Sequence, residues 1–449
     1  MIWLYRILFI PGLLLSSPYY LYRMRKRGGY LIDWKHRFGG MPEPPKKKPG
    51  VTRIWIQAVS VGEIQAIEPL IESWINQSGT EVCLTTTTST GYRLAREKLS
   101  GKVLALGIFP LDFLPFSVRT WNRLKPDLAV LMESELWPEH IHQATNRNIP
   151  VVLINARLSD RSFRKYGKWP GVARWILHRL SLILAATERD AKRFRTLALA
   201  QSRDKIITTG NLKLDVEIKP VLNKDEKKAL LEEMGFSPRK KPCPLILLGS
   251  STWHPEEIFL LDLQKSARAG GIDCRLLIAP RHAERGDDIA CILEKQPLPW
   301  HRRTTQRQAP SDNCIYLADT TGELRRLAQV ADLALIGKSL PPNTEGQTPI
   351  ECAALGIPFV TGPGMSNFSE VIDAIERVEG CRRGKSTEET ALILLQLLRD
   401  DNARRSLSEA ARIWHQSNRG SARKTLDALN SLLPGNFEST RSNKTSSAG

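Results

Sequence analysis

The chain has 449 residues, 41% hydrophobic and 25% charged, with a formal net charge of +18. Its length exceeds what one hydrophobic core usually organises, so two domains are expected, and its composition excludes general disorder. The charge calls for an anionic partner: nucleic acid, an acidic membrane surface or a phosphorylated substrate.

Residues 2–22 read IWLYRILFIPGLLLSSPYYLY and are followed at once by Arg23, Arg25, Lys26 and Arg27, then Lys35, Arg37 and Lys46-Lys47-Lys48. A cleaved secretory signal carries its charge before the apolar stretch; here the charge follows it, which predicts the remainder on the cytoplasmic side. The stretch barely matches roughly 30 Å of hydrocarbon, and Pro11 and Arg6 interrupt it. A short span or an interfacial anchor fits, with Tyr19, Tyr20 and Tyr22 as an interfacial belt. Because the α/β pattern begins only near Arg53, residues 1–27 read as a separable anchor with a basic flank.

From Ile54–Val59 onward, β-rich runs alternate with amphipathic segments: Val82–Thr86, Val103–Leu106, Leu128–Met132, Val151–Ile154 and Leu182–Ala186. Ile64, Ile67, Ile71, Trp74 and Ile75 recur at helical spacing after the first strand. A lysine-rich stretch through Pro242 reads as a linker and a helix. A second series follows at Leu245–Gly249, Arg275–Ala279, Cys314–Leu317, Leu333–Ile336 and Pro358–Thr361. The pattern predicts two doubly wound parallel sheets, in domains at 28–218 and 219–435, with ligands at the strand carboxyl ends facing a cleft. The Ser/Thr/Asn-rich residues 436–449 are expected to be disordered.

Seven cysteines stand singly with no Cys-x-x-Cys pair, against a disulfide framework or a zinc site. His140 and His142, two apart on a helix, face different ways and do not form a metal pair. No Walker loop, Rossmann fingerprint, nucleophile elbow or nucleic-acid-binding module is present.

Chemistry gathers at the predicted strand ends. Ser60-Val61-Gly62-Glu63 opens a helix, so Glu63 is either a first-turn acid favoured by the helix dipole or a carboxylate presented to a ligand. Glu133-Ser134-Glu135 follows another strand, and acids converging from two strand ends raise one another's pKa. Arg157 and Lys213 place cations past further strands. In the second half, Gly249-Ser250-Ser251-Thr252 and Ala279-Pro280-Arg281 offer N–H donors and a guanidinium suited to phosphate. The turns Thr321-Gly322-Glu323 and 362–368 end further strands.

Taken in order, SVGE at 60–63, TTTTSTG at 85–91, PLD at 110–112, ESELWP at 133–138, INARLSDRS at 154–162 and GNLKLD at 210–215 resemble the Kdo (3-deoxy-octulosonic acid) transferase family of lipopolysaccharide synthesis. So do GSSTWHPEE at 249–257, APRHAER at 279–285, TGEL at 321–324 and GPGMSNF at 362–368, and the resemblance spans nearly the whole chain. It implies a GT-B-type glycosyltransferase at the inner membrane, its catalytic domains on the cytoplasmic face. Kdo would move from CMP-Kdo to a lipid A precursor (lipid IVA) with inversion and release of CMP, with no metal or other cofactor and no nucleic acid partner. Glu63 falls at the general-base position, and Glu133 and Lys213 at positions supporting the transition state. Pro280, Arg281, Thr321, Gly322, Glu323, Thr348, Pro349, Ile350 and Glu351 fall where the family binds CMP. The segment Glu345–Cys352 departs from the family pattern: one glycine, an Asn and a Pro are replaced, while Glu351 is kept. A GT-B enzyme using another nucleotide sugar, or a catalytically weakened relative, is the alternative.

Overall fold

The computed structural model describes residues 1–27, 32–236 and 243–433. The tail at 436–449, and the side chains of Tyr20 and residues 23–27, lie outside what is described. The chain forms two compact units, residues 1–216 with 419–449 and residues 217–418.

The first unit holds a seven-stranded sheet of β1 (Thr52–Ala58), β2 (Thr80–Thr86), β3 (Ala105–Ile108), β4 (Leu128–Met132), β5 (Val151–Ala156), β6 (Leu182–Ala185) and β7 (Ile206–Thr208). All neighbours pair in parallel, in the order β3-β2-β1-β4-β5-β6-β7. Period-two alternation divides β1 between the faces. Ile54, Ile56 and Ala58 pack with Ile64, Ile67 and Trp74, while Trp55 turns the other way onto Phe109 and Trp121. Helices cover both faces: α1 (Ile2–Arg27), α2 (Val61–Asn76), α3 (Ser89–Leu99), α4 (Leu114–Leu124), α5 (Pro138–Asn146), α6 (Asp160–Lys168), α7 (Pro170–Leu177) and later ones. His140 on α5 is a core residue whose Nδ1 accepts from Trp121 Nε1 at 3.2 Å, and burial pushes its pKa down to about 3.

The sequence reading carried the second domain to 435. The structure returns the helix Ser421–Asn430 to the first unit, where Leu429 and Leu433 join the α2 face of the core. Asp215 seats it: Oδ1 accepts from Gly420 N at 2.6 Å and Oδ2 from Ala422 N. A carboxylate on the free N–H groups at a helix start also meets the positive end of its dipole.

The helix α1 is bound to the first unit rather than separable from it. Arg6 forks Glu139 (Nε–Oε2 2.8 Å, Nη2–Oε1 2.9 Å), Tyr5 donates to Asp112 at 2.6 Å, and Phe9 stacks on Phe113 at 5.0 Å. Glu139 is fully buried, so Arg6 supplies the countercharge that makes its burial tolerable. Lipid-length helices need not touch their own domain; this one does so along its first two turns.

The second unit repeats the plan with β8 (Leu245–Thr252), β9 (Cys274–Pro280), β10 (Trp300–Arg302), β11 (Ile315–Leu317), β12 (Leu333–Ile336), β13 (Phe359–Thr361) and β14 (Arg382–Arg383). The order is β10-β11-β9-β8-β12-β13-β14, again parallel throughout. The lysine-rich stretch forms the helix Lys224–Glu233, opened by a capping box of Asn223 and Glu226. Both sheets reverse their strand order at one point, between β1 and β4 and between β8 and β12, and these are the positions where open α/β sheets receive ligands.

Candidate active site

In the first unit the two strands flanking the reversal deliver the two acids. After β1 the chain turns at Ser60, which caps α2, and Glu63 folds back over its own turn. Its Oε2 accepts from Val59 N at 2.8 Å, and its Oε1 from Ser60 Oγ at 3.0 Å. The residue is only 6% exposed, and burial first, then the charge of Glu133, raises its carboxyl above the ordinary range. After β4, Glu133 adopts φ +54°, a left-handed conformation uncommon outside glycine, which turns the chain sharply at the strand end. Its Oε1 accepts from Lys213 Nζ at 2.7 Å.

Lys213 sits in the short 3-10 turn Leu212–Leu214, pinned by the buried Leu212 and Leu214 and by Asn211, whose Oδ1 accepts from Lys213 N at 3.1 Å. The turn is held to the sheet by Asn155. Its Oδ1 accepts from Leu212 N at 3.1 Å, and its Nδ2 lies 3.4 Å from Glu133 Oε1. Asn155 lies in an irregularity of the β5–β6 pairing, with φ +47°, the kind of bulge that re-aims a side chain. The structure therefore brings Glu63, Glu133 and Lys213 to one place.

It adds a residue the sequence reading left inside a motif. Glu135 accepts from Trp137 Nε1 at 2.9 Å, and burial, with the charge of Glu63, pushes its pKa up to about 7. The signal that could have found it is the ESE spacing itself: two acids two residues apart, past a strand that ends beside Glu63. Among the described residues no group of three or more His, Cys, Asp or Glu is placed to hold a metal ion.

In the second unit, Pro280 ends β9 and Arg281 N donates to Thr252 O at 3.2 Å, tying two strand ends together. The Arg281 side chain is exposed, whereas Arg285 of the same motif forks the buried Glu257 at 2.8 and 3.0 Å and is structural. Thr321 and Gly322 form an exposed turn, with Gly322 at φ +88°. Glu323 is committed elsewhere: Arg303 grips both its oxygens at 2.7 Å and holds its pKa down to about 2. The buried Ile350 N donates to Thr348 Oγ1 at 3.3 Å beside Pro349, and Glu351 pairs with Arg325 at 2.8 Å. In the departing segment, Gly346 has φ +70°, and a Cβ there would lie 2.4 Å from Met365 Sδ, so this glycine is required.

Glu256 organises this end of the sheet. It is fully buried at the start of the helix Glu256–Ala269, and accepts from Trp253 N (2.9 Å), Lys338 N (2.8 Å), Ser339 N (2.8 Å) and Leu340 N (3.1 Å). One carboxylate thus joins the ends of β8 and β12 across the reversal point.

Residues 33–216 match the family model described as 3-deoxy-D-manno-octulosonic-acid transferase (kdotransferase). A 3-deoxy-D-manno-octulosonic acid transferase of Haemophilus influenzae is 32% identical over 95% of this chain and 95% of its own. Another, from Bordetella pertussis, is 33% identical over 92% and 94%. In fold, the chain is similar to a putative UDP-N-acetylglucosamine 2-epimerase from Listeria monocytogenes, with a TM-score of 0.57 at 14% identity over 87% of this chain and 97% of that one. Two seven-stranded parallel sheets, with acids and a lysine at the first reversal point, and full-length similarity to these transferases lead to one conclusion: the chain is a glycosyltransferase of the 3-deoxy-D-manno-octulosonic acid (Kdo) transferase family.

Proposed function

We propose that the chain transfers Kdo from CMP-Kdo to a lipid A precursor, lipid IVA, by single displacement with inversion, and that Glu63 is the general base. The supporting observation is the Glu63 carboxylate, buried yet fixed by two donors, beside a Glu133–Lys213 pair at the end of the central strands. A hydroxyl oxygen of the acceptor attacks the anomeric carbon of the donor. As that bond forms, the bond from anomeric carbon to phosphate oxygen breaks, the hydroxyl proton passes to Glu63, and CMP leaves with the electron pair. A positioned base contributes roughly 10²–10⁴-fold, so alignment and charge carry the remainder. Glu133 holds the Lys213 ammonium in place, where it balances the sugar carboxylate or the departing phosphate.

On this reading the second unit binds CMP through Pro280, Arg281, the Thr321–Gly322 turn and the segment Thr348–Glu351. Glu323 contributes by holding its turn through Arg303 rather than by touching the ligand. The helix α1, with exposed Trp3, Leu4, Ile7 and Leu8, keeps the enzyme on the cytoplasmic face of the inner membrane, beside its lipid acceptor. Its residues 2–19 are apolar enough to cross a bilayer, but the contacts of Tyr5, Arg6 and Phe9 with the first unit favour a helix lying in the interface.

The direct test offers CMP-Kdo and, separately, UDP-sugars to the enzyme with a purified lipid A precursor, and weighs the products. Added Kdo is expected from CMP-Kdo alone; transfer from a UDP-sugar would replace the donor assignment. In the same assay Arg281→Ala should raise the KM for CMP-Kdo by one to two orders of magnitude, since a charge-assisted hydrogen bond contributes roughly 1.5–3 kcal/mol. Donor kinetics equal to the parent's would move the phosphate site elsewhere.

Glu135 gives the reading a pH signature. The charge of Glu63 helps to raise the Glu135 pKa to about 7, so removing that charge lowers it. In Glu63→Gln the Glu135 carboxyl should therefore titrate at lower pH than in the parent, read by NMR of labelled carboxyl groups. A Glu135 titration unmoved by the substitution would separate the two carboxylates.

A further inference from the structure

The sequence from Arg161 to Trp175 reads RSFRKYGKWPGVARW and contains no acid. It forms most of α6 and α7, and α6 buries none of its residues. Between the helices Trp169 is 67% exposed, followed by exposed Pro170, Gly171 and Val172. Arg161, Arg164, Lys165 and Lys168 precede this apolar tip on α6 and Arg174 follows it on α7, all exposed, and none forms an ion pair with a described residue. Their neighbours show that this is not for want of acids nearby: Asp160 is taken by Arg189 at 2.9 Å and by Arg193. A large aromatic left in water between two helices carrying unpaired cations suits a surface both apolar and anionic.

The neighbour of this tip says which surface. A Cβ built on Gly171 would lie 3.9 Å from Met1 Cε, so the start of α1 abuts the start of α7. The exposed Trp3, Leu4, Ile7 and Leu8 of α1 and the Trp169–Val172 tip therefore belong to adjoining parts of one unit. Tyr166, on the same α6, lies close enough to Glu135 to feel its charge, so the hairpin also borders the carboxylate site.

We propose that the α6–α7 hairpin is a second membrane contact, inserting Trp169 and Val172 among the headgroups of an anionic phospholipid bilayer while the five cations engage lipid phosphates. Tryptophan favours this depth because its ring is apolar and its N–H finds partners there. The proposal rests on the reading that the acceptor is a membrane lipid, and it adds a role for the hairpin: α1 tethers the enzyme, and the hairpin sets the carboxylate site at the lipid surface.

The full-length protein tests it. In one variant Arg164, Lys165 and Lys168 become Glu; in a second, Trp169→Ser; in a control, Lys224, Lys295 and Lys385 of the other unit become Glu. Binding is measured by co-sedimentation with phosphatidylglycerol–phosphatidylethanolamine vesicles and with phosphatidylcholine vesicles. Each basic residue near an anionic surface strengthens binding about fivefold, so the first variant should lose roughly tenfold or more on the anionic vesicles. Trp169→Ser should lose severalfold on both vesicle types, and the control should match the parent. Transfer to acceptor dispersed in non-ionic detergent should stay at the parent's rate in the hairpin variants. Parent-like vesicle binding by the hairpin variants, as for a face that meets another protein, overturns the proposal. So does an equal loss in the control, which would leave only net charge. An absence of Kdo transfer by the parent in detergent would instead count against the donor and acceptor assignment, and the vesicle comparison would still stand.

Discussion

Glu63→Gln is expected to lower turnover by roughly 10²-fold or more while leaving CMP binding intact. Glutamine keeps the size of the side chain and can still accept through its carbonyl oxygen from Val59 N or the Ser60 hydroxyl, so the turn before α2 should survive. It cannot take a proton from an attacking hydroxyl. The loss should therefore appear in kcat, with little change in the affinity for CMP measured by calorimetry, because the proposed nucleotide residues all belong to the other compact unit. Near-normal transfer by this variant would assign the proton to another group, and Glu135 would then be the first to examine.

The largest effect on stability is expected at Glu256→Ala. Four backbone N–H groups, from Trp253, Lys338, Ser339 and Leu340, converge on this one carboxylate in a fully buried place. Alanine leaves all four without their acceptor. Each unpaired buried donor costs about 1–3 kcal/mol, and partial rescue by entering water brings the total to roughly 3–5 kcal/mol. That is a large share of the roughly 5–15 kcal/mol that holds a domain folded. Because the chain has two units, the loss should appear as one calorimetric transition moving to lower temperature while the other stays. Glu256→Gln, which keeps one acceptor oxygen, should fall between. A change under about 1 kcal/mol for the alanine variant would mean that the loop at 338–340 is held by other bonds.

The alternation of β-rich runs and amphipathic helices made most of both sheets legible, because buried parallel strands such as Leu128–Met132 and Leu333–Ile336 read as continuous apolar runs. The strands missed were Ile206–Thr208, Trp300–Arg302 and Arg382–Arg383, each two or three residues long and at a sheet edge, too short to carry a period. Val103–Leu106 was read two residues early against Ala105–Ile108. Glu63 and Glu133 were legible as candidates because each closely follows a strand and matches a motif, whereas Lys213 stood out by its motif, the strand before it being among those missed. Asn155 and Glu135 lay within quoted motifs without being singled out, since their importance depends on a bulge and on burial. Glu323 shows the opposite limit: its motif was visible, but Arg303, twenty residues away, takes up both its oxygens. The anchor reading of residues 1–27 was drawn from hydropathy, which has no means of showing that Arg6 answers a buried Glu139 133 residues later.

The seating of the helix Ser421–Asn430 on Asp215 has a consequence for biosynthesis. The two partners are 205 residues apart in sequence, with the whole second unit translated between them. As the ribosome proceeds, the seven strands of the first sheet are available long before Leu429 and Leu433, which complete the packing around Trp74 and α2. Throughout that interval the nascent chain carries an uncovered apolar face and an Asp215 with no helix to hold, the kind of surface that recruits chaperones or leads to aggregation. The helix that closes the first core is thus made only after the whole second unit, and folding of the acid-bearing half waits for it.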